Sequence, residues 1–231
     1  MISMIDISKA FDTRSETVFE FFQRREIGYY IPLYQRQYSW TNENIEQLME
    51  DICNWGAALA DDEENSRTIH FLGTIILVVE PNSRKNINPQ DPRALPEPIK
   101  NVIDGQQRLS TMALLACCLY KKIHGMNQKL GKKGSNDEIT LRDKEVPKKY
   151  LERLENIFSL ELGRGDPERK PRIIRGSVDQ WTLEGKDDDN YRSDVSRFLA
   201  RFIRNIYEYE QDPKLSIKLP SSEKSKVAKN V

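Results

Sequence analysis

The chain is poor in the residues on which most metal and nucleophile chemistry depends. Of 231 residues only two are histidine, His70 and His124, and only three are cysteine. Zinc centres, histidine-metal nucleases and Ser-His-Asp triads need imidazoles or thiols at set spacings, and no C-x-x-C or H-x-H occurs. His70 falls in an apolar strand and His124 at a helix end, so both read as structural, and a self-sufficient HNH-type nuclease is not expected. Cys117 and Cys118 are neighbours on an apolar helix; three cysteines build no disulfide framework and suit a reducing compartment. Long apolar runs are missing as well, none approaching the roughly 20 residues that span a bilayer. The opening Met1-Ile2-Ser3-Met4-Ile5-Asp6 lacks the basic head and apolar stretch of a secretion signal. These absences predict a cytoplasmic protein with no membrane partner. An excess of one charge is lacking too, since 36 basic residues balance 36 acidic ones. No overall field draws the chain to nucleic acid, and any such affinity has to come from local clusters.

What is present suits a globular fold: 38% hydrophobic and 31% charged residues allow a core beneath a heavily charged surface. The length accommodates one large domain, or one domain with a helical appendage. Residues 15–26 read as a short amphipathic helix with Ser15 as N-cap and Gly28 as the stop. Tyr29-Tyr30-Ile31 is β-prone and runs into Pro32, as at a strand end or edge. Thr41 caps a helix whose Ile45, Leu48, Ile52, Trp55 and Leu59 share a face, followed by an acidic loop from Asp61 to Glu64. Ile69 to Val79 is continuous in apolar and β-branched residues, which predicts a strand buried on both faces. Gly73 within it marks a bulge or the close approach of another group. Pro81, Pro89, Pro92, Pro96 and Pro98 make the next stretch irregular. A strand from Ile99 to Ile103, a turn at Asp104-Gly105 and an apolar helix from Leu109 to Ile123 follow. Gly125 to Thr140 reads as a polar loop, Pro147 to Leu162 as a helix and Pro171 to Arg175 as a strand. Tyr191 to Tyr209 is an amphipathic helix, with Val195, Phe198, Leu199, Phe202, Ile203 and Ile206 at helical spacing. From Gln211 the chain is polar and weakly patterned, and there are no internal repeats.

Two segments carry the chemistry. The first runs from Ile31 through Pro32, Leu33, Tyr34, Gln35, Arg36, Gln37, Tyr38 and Ser39 to Trp40. Arg36 offers a planar fork of donors suited to phosphate or carboxylate, and the aromatics either stack on a base or wall the site. On its own this segment reads first as a packed strand-to-helix corner, with Arg36 paired to an internal carboxylate. The second is Ile103-Asp104-Gly105-Gln106-Gln107-Arg108-Leu109-Ser110-Thr111. It joins an apolar strand to an apolar helix through one glycine, so free N–H groups and the positive helix end face an incoming anion. Gly105 lets a ligand approach the backbone. Arg108 adds a guanidinium, and Asp104 a carboxylate that holds Mg²⁺ or orients an arginine or water. The same residues also fit a capping box between Asp104 and Gln107 that needs no ligand. The loop is not a Walker A motif.

Taken together and in this order, I-P-x-Y-Q-R-x-Y-x-W at Ile31–Trp40, F-L-G-T-I at Phe71–Ile75 and I-D-G-Q-Q-R-L-S-T at Ile103–Thr111 resemble the N-terminal domain family of GmrSD-type, modification-dependent restriction enzymes. The resemblance covers roughly residues 10–125; beyond Thr140 only the general helical character matches. It implies an α/β (α+β) fold like that of ParB and sulfiredoxin, a small mixed sheet with flanking helices followed by a mainly helical region. The corresponding division is 1–125 for the nucleotide-handling domain, 126–210 for a helical extension and 211–231 for a polar tail or linker. The resemblance further implies a nucleoside triphosphate bound and hydrolysed with Mg²⁺ or another divalent metal, in defence against phage DNA, often modified. Carried over, Asp104, Gln106, Gln107 and Arg108 are the expected catalytic residues, and Asp104 the metal ligand. Tyr34, Gln35, Arg36, Trp40 and Gly105 are expected to bind the nucleotide. Many relatives continue into a histidine-containing nuclease domain, so cutting is expected from a nuclease domain or subunit outside this chain.

Two basic clusters are candidate DNA contacts. Lys121, Lys122, Lys129, Lys132 and Lys133 follow the nucleotide-site helix, and Lys129, Lys132 and Lys133 are the expected DNA-binding residues. Arg164, Arg169, Lys170, Arg172 and Arg175 form the second cluster, diluted by Asp166 and Glu168. In so charged a chain a solvated face is the first explanation for either cluster. The leading expectation is an NTP-hydrolysing sensor and regulator of a restriction system. The alternative is a DNA-binding adaptor subunit that hydrolyses nothing.

Overall fold

In a computed structural model, the residues described are 12–24, 26–61, 71–80, 87, 95–132, 141–163 and 168–221. The strands are β1 (Gly28–Ile31), β2 (Ile76–Val79), β3 (Ile99–Asp104), β4 (Ser159–Leu162), β5 (Glu168–Pro171) and β6 (Ile173–Arg175). The helices are α1 (Val18–Phe22), α2 (Asn42–Asp61), α3 (Gln106–Lys132), α4 (Leu141–Phe158), α5 (Asp187–Asn190) and α6 (Asp194–Gln211). The fold is mixed α/β. Four strands form a sheet in the order β2-β3-β1-β6, and β4 pairs with β5 in a second, two-stranded sheet. β1 runs parallel to both β3 and β6, while β2 runs antiparallel to β3. The central β1 is buried on both faces along most of its length, as a parallel strand between layers should be.

The main core packs α3 and α6 against this sheet. Leu109, Ala113, Leu114, Ala116, Cys117 and Tyr120 line the inner face of α3, opposite Phe198, Leu199, Phe202 and Ile206 of α6. Tyr120, Phe158 and Phe202 meet edge to face, with ring centroids 5.4 to 6.0 Å apart. A second core gathers Ile99, Leu160, Leu162, Ile174 and Tyr191 around Trp181, whose indole N–H donates to the Pro171 carbonyl at 2.7 Å.

Arg172 is fully buried and, among the described residues, has no carboxylate partner. Its guanidinium donates to the carbonyls of Phe22 (2.8 Å) and Ile27 (3.0 Å), and also to those of Arg24 and Asn156. Three of these carbonyls lie at or near the ends of α1 and α4, where helix dipoles favour a cation. Burial pulls the Arg172 pKa below its ordinary value, and the neighbouring Tyr29 phenol, itself pushed up to about 12 by burial, opposes that fall.

Several expectations change. Thr17, not Ser15, caps α1: its hydroxyl accepts from the Glu20 N–H, and the Glu20 carboxylate accepts from the Thr17 N–H, a capping box that sets the start two residues later. The strand expected over 69–79 is confined to Ile76–Val79; residues 71–75 are irregular, and 69 and 70 lie outside the described residues. Among the described residues β2 is also an edge strand, paired only with β3, so Val78 and Val79 are more than half exposed rather than doubly buried. α3 runs past Gly125 to Lys132, where a loop was expected. A glycine inside a helix costs only about 1 kcal/mol relative to alanine, which a helix this firmly packed absorbs. α4 stops at Phe158, and Ser159–Leu162 is strand rather than helix, with Leu160 and Leu162 buried and Glu161 exposed in the alternation of a pleated strand. Beyond α6 the polar stretch still sends Ile217 into the main core, with Leu219 against it. His70 lies outside the described residues. His124 sits within α3, stacked on Tyr120 and edge-on to Tyr209, in a structural setting.

Candidate functional site

The site forms where β3 passes into α3. β3 ends at Asp104 and α3 starts at Gln106, so Gly105 alone turns the chain. It does so at φ +86°, in the left-handed region that favours glycine, and its carbonyl accepts the Leu109 N–H at 3.0 Å. A Cβ at Gly105 would stand 2.9 Å from the Thr74 carbonyl oxygen and 3.0 Å from Ile75 Cγ1. The Phe71–Ile75 stretch therefore lies directly on the turn. Gly73, at φ +111°, makes room in the same way: a Cβ there would come within 2.6 Å of Arg108 Cζ and Nε. Of the two meanings its sequence context left open, close approach is the correct one, and the approaching group is Arg108. The Arg108 Nη1 also donates to the Thr74 carbonyl at 3.4 Å.

On the other side, the segment from Ile31 to Trp40 is fastened to the turn by side-chain amides. Gln35 Nε2 donates to the Ile103 carbonyl at 2.6 Å. Gln106 Nε2 donates to the Arg36 carbonyl at 3.0 Å. Gln107 Nε2 donates to the Gln37 carbonyl at 3.1 Å, and its Oε1 accepts the Ser39 N–H at 2.9 Å. The Tyr38 hydroxyl lies 2.9 Å from Thr111 Oγ1. Thr111 has one hydroxyl proton and gives it to the Gln107 carbonyl at 2.9 Å, so Tyr38 is the donor in this pair. Burial raises the Tyr38 pKa and the Thr111 contact lowers it in part, which keeps the phenol protonated at neutral pH.

The first segment does pack as a strand-to-helix corner, but the two pairings expected of ligand-free segments do not form among the described residues. Gln107 has both ends of its amide engaged across the site, so it makes no capping box with Asp104. Arg36 contributes its carbonyl to the clamp while its side chain is exposed, and among the described residues it has no carboxylate partner. Burial sorts the remaining candidates. Gln106 and Gln107 are each 7% exposed and hold backbone. Asp104 and Arg36 are exposed, Tyr34 is 72% exposed, and Trp40 and Arg108 are half-buried. Among the described residues no group of three or more His, Cys, Asp or Glu could hold a metal. Asp104 therefore supplies one carboxylate at the turn. That suits Mg²⁺ carried on phosphate oxygens and water, which needs one or two protein carboxylates rather than a cage.

One residue at the site was missed from sequence. Arg175, at the end of β6, donates to the carbonyls of Leu33 (3.4 Å), Gln35 (2.5 Å) and Arg36 (2.9 Å). It had been grouped with the second basic cluster, and nothing local in the sequence ties it to a segment so far upstream. That cluster is largely engaged in structure. Arg169 pairs with Glu155 and Glu210, Lys170 with Glu168, and Arg172 holds backbone carbonyls in the core. Arg164 lies outside the described residues. In the first cluster Lys121, Lys122 and Lys129 are exposed on α3. Lys132 ends that helix, with its side chain outside what is described, as is Lys133.

All three motif segments thus meet at one turn. The family model for the N-terminal domain of the GmrSD restriction endonuclease matches residues 18–231. The chain belongs to this family. The match extends well past α3, through β4–β6 and α4–α6, where the motifs alone had given only general helical character. Membership makes this GmrSD N-terminal domain a component of a restriction system. A comparison with curated proteins finds no match. Among the described residues no helix is long and apolar enough to cross a membrane.

Proposed function

We propose that this GmrSD N-terminal domain binds and hydrolyses a nucleoside triphosphate at the β3–α3 turn, and so acts as the sensor and regulator of a restriction system. The observation that carries the reading is the division of labour at the turn. Gln35, Gln106 and Gln107 use their amides to fix backbone, which leaves the Arg36 guanidinium and the Asp104 carboxylate exposed beside the amino end of α3, the one for an anion and the other for its metal. The positive end of a long helix with a cation beside it favours phosphate. Arg36 and Arg108 neutralise phosphate charge, Asp104 would hold a divalent metal, and Gln106 and Gln107 position the segment that carries Arg36. Tyr34 and Trp40 wall the base side. A bound divalent ion would supply further neutralisation of charge between the phosphate groups. The DNA target, of modified phage type, is cut by a nuclease domain or subunit outside the described chain.

A second reading, a DNA-binding adaptor without hydrolysis, draws on the exposed Lys121, Lys122 and Lys129 of α3. Turnover of each of the four nucleoside triphosphates with Mg²⁺, with and without DNA, separates the two. Hydrolysis should fall at least about 100-fold in Asp104→Ala, the scale of losing one electrostatic stabiliser of a transition state. If wild type neither binds nor hydrolyses any triphosphate, the first reading is wrong. Salt-sensitive DNA binding that survives Asp104→Ala and fails on reversing the three lysines would then favour the adaptor.

A further inference from the structure

The Arg36 carbonyl accepts two hydrogen bonds from opposite parts of the fold: Gln106 Nε2 at 3.0 Å from α3, and Arg175 Nη1 at 2.9 Å from β6. A carbonyl oxygen has two lone pairs, and here both are used. Arg175 also takes the Gln35 and Leu33 carbonyls on its Nη2, so one guanidinium gathers three carbonyls of one short turn. The turn's own backbone contributes a single local bond, from the Gln35 N–H to the Pro32 carbonyl at 3.0 Å. Arg175 is itself anchored: its N–H donates to Asp179 Oδ2 at 2.8 Å, and the buried Asp179 carboxylate also accepts from the N–H groups of Arg192 and Ser193, each at 2.7 Å. The register of β6 on β1, with Arg175 opposite Ile31, puts the guanidinium beside the segment that leaves β1.

We propose that Arg175 is a positioning residue of the candidate nucleotide site, fixing the Leu33–Arg36 turn so that the Arg36 side chain is held facing the ligand. It acts through backbone and does not itself touch the phosphates. The planar fork matters more than the charge, because a lysine ammonium cannot span three carbonyls set in an arc as a guanidinium does. The role rests on the nucleotide reading above. It extends the site into a strand some distance along the chain from either of the motifs that mark it.

The test compares wild type, Arg175→Ala and Arg175→Lys by two measurements on the full chain. Amide hydrogen exchange at Gln35 and Ser39 reports the turn, with the Tyr29 amide, bonded to the Arg172 carbonyl, as an internal reference in the neighbouring strand. Calorimetric titration with the Mg²⁺ complexes of ATP, GTP, CTP and UTP reports the ligand. In Arg175→Ala, exchange at Gln35 and Ser39 should accelerate at least about tenfold with Tyr29 unchanged, and affinity for whichever nucleotide wild type binds should fall at least about tenfold. Arg175→Lys should recover less than half of the lost protection. Unchanged exchange at Gln35 and Ser39, full rescue by lysine, or faster exchange with undiminished affinity would each overturn the proposal. If wild type binds none of the four nucleotides, the proposed function fails by itself, and the exchange data still decide whether Arg175 fixes the turn.

Discussion

Gly73 and Arg108 are a matched pair, since the absent side chain of one is the space occupied by the other. Gly73→Ala should lower stability by roughly 1 to 3 kcal/mol from its positive φ, and it also obliges the Arg108 guanidinium, the far end of a flexible side chain, to leave the Thr74 carbonyl. In the background of Arg108→Ala the steric part disappears while the backbone part stays. A double-mutant cycle by urea denaturation should therefore show a coupling of at least about 0.5 kcal/mol, whereas strict additivity would mean that the two residues do not crowd each other. His124 makes a second prediction at this scale. Burial lowers its pKa below the ordinary 6.5, so the unfolded chain binds the proton more readily than the folded one. Stability from this group is complete above pH 6.5 and is lost as pH falls through the lower folded value. Thermal midpoints measured from pH 7.5 to 5 should fall less steeply in His124→Phe than in wild type. Equal slopes would show that His124 titrates alike in both states.

At the scale of elements, Arg172 joins α1, the turn before β1, and α4 through four carbonyls in a dry setting. Arg172→Met keeps much of the volume and leaves those carbonyls without their donor, which should cost at least about 3 kcal/mol in chemical denaturation. A loss below 1 kcal/mol would mean that water replaces the guanidinium. Which elements were legible in the sequence follows from how locally each is specified. α6 was read correctly because its apolar stripe is continuous at helical period, and β3 because it ends at an obligatory glycine turn. β2 was read too long because apolar, β-branched residues look alike whether they lie in a central or an edge strand. β4 was absorbed into α4 because a four-residue strand following directly on a helix offers too few residues to show its alternation. The candidate site was legible in the parts that lie in contiguous motifs. The fastening of one motif to the other, above all by Arg175, was not, because it depends on strand order and register.

Across the whole molecule, the main core draws on residues from Phe22 to Ile217, and β6 from the later part of the chain closes the sheet beside β1. Ile217→Ala should therefore cost about 2 to 4 kcal/mol, the range for truncating a packed aliphatic side chain, although it lies in a stretch that reads as a polar tail. A near-neutral effect in thermal unfolding would place that stretch outside the cooperative unit. The same integration means that the candidate site is assembled from β1, β3, β6 and α3 together. Equilibrium titration of wild type, Arg36→Ala and Asp104→Ala with Mg²⁺-nucleoside triphosphates tests that site most directly. Wild type should bind at least one triphosphate in a Mg²⁺-dependent manner; Arg36→Ala should bind it at least about tenfold more weakly with an unchanged thermal midpoint, and Asp104→Ala should lose the Mg²⁺ dependence. Equal affinity in all three proteins, or no binding by wild type, would contradict a nucleotide site at the β3–α3 turn.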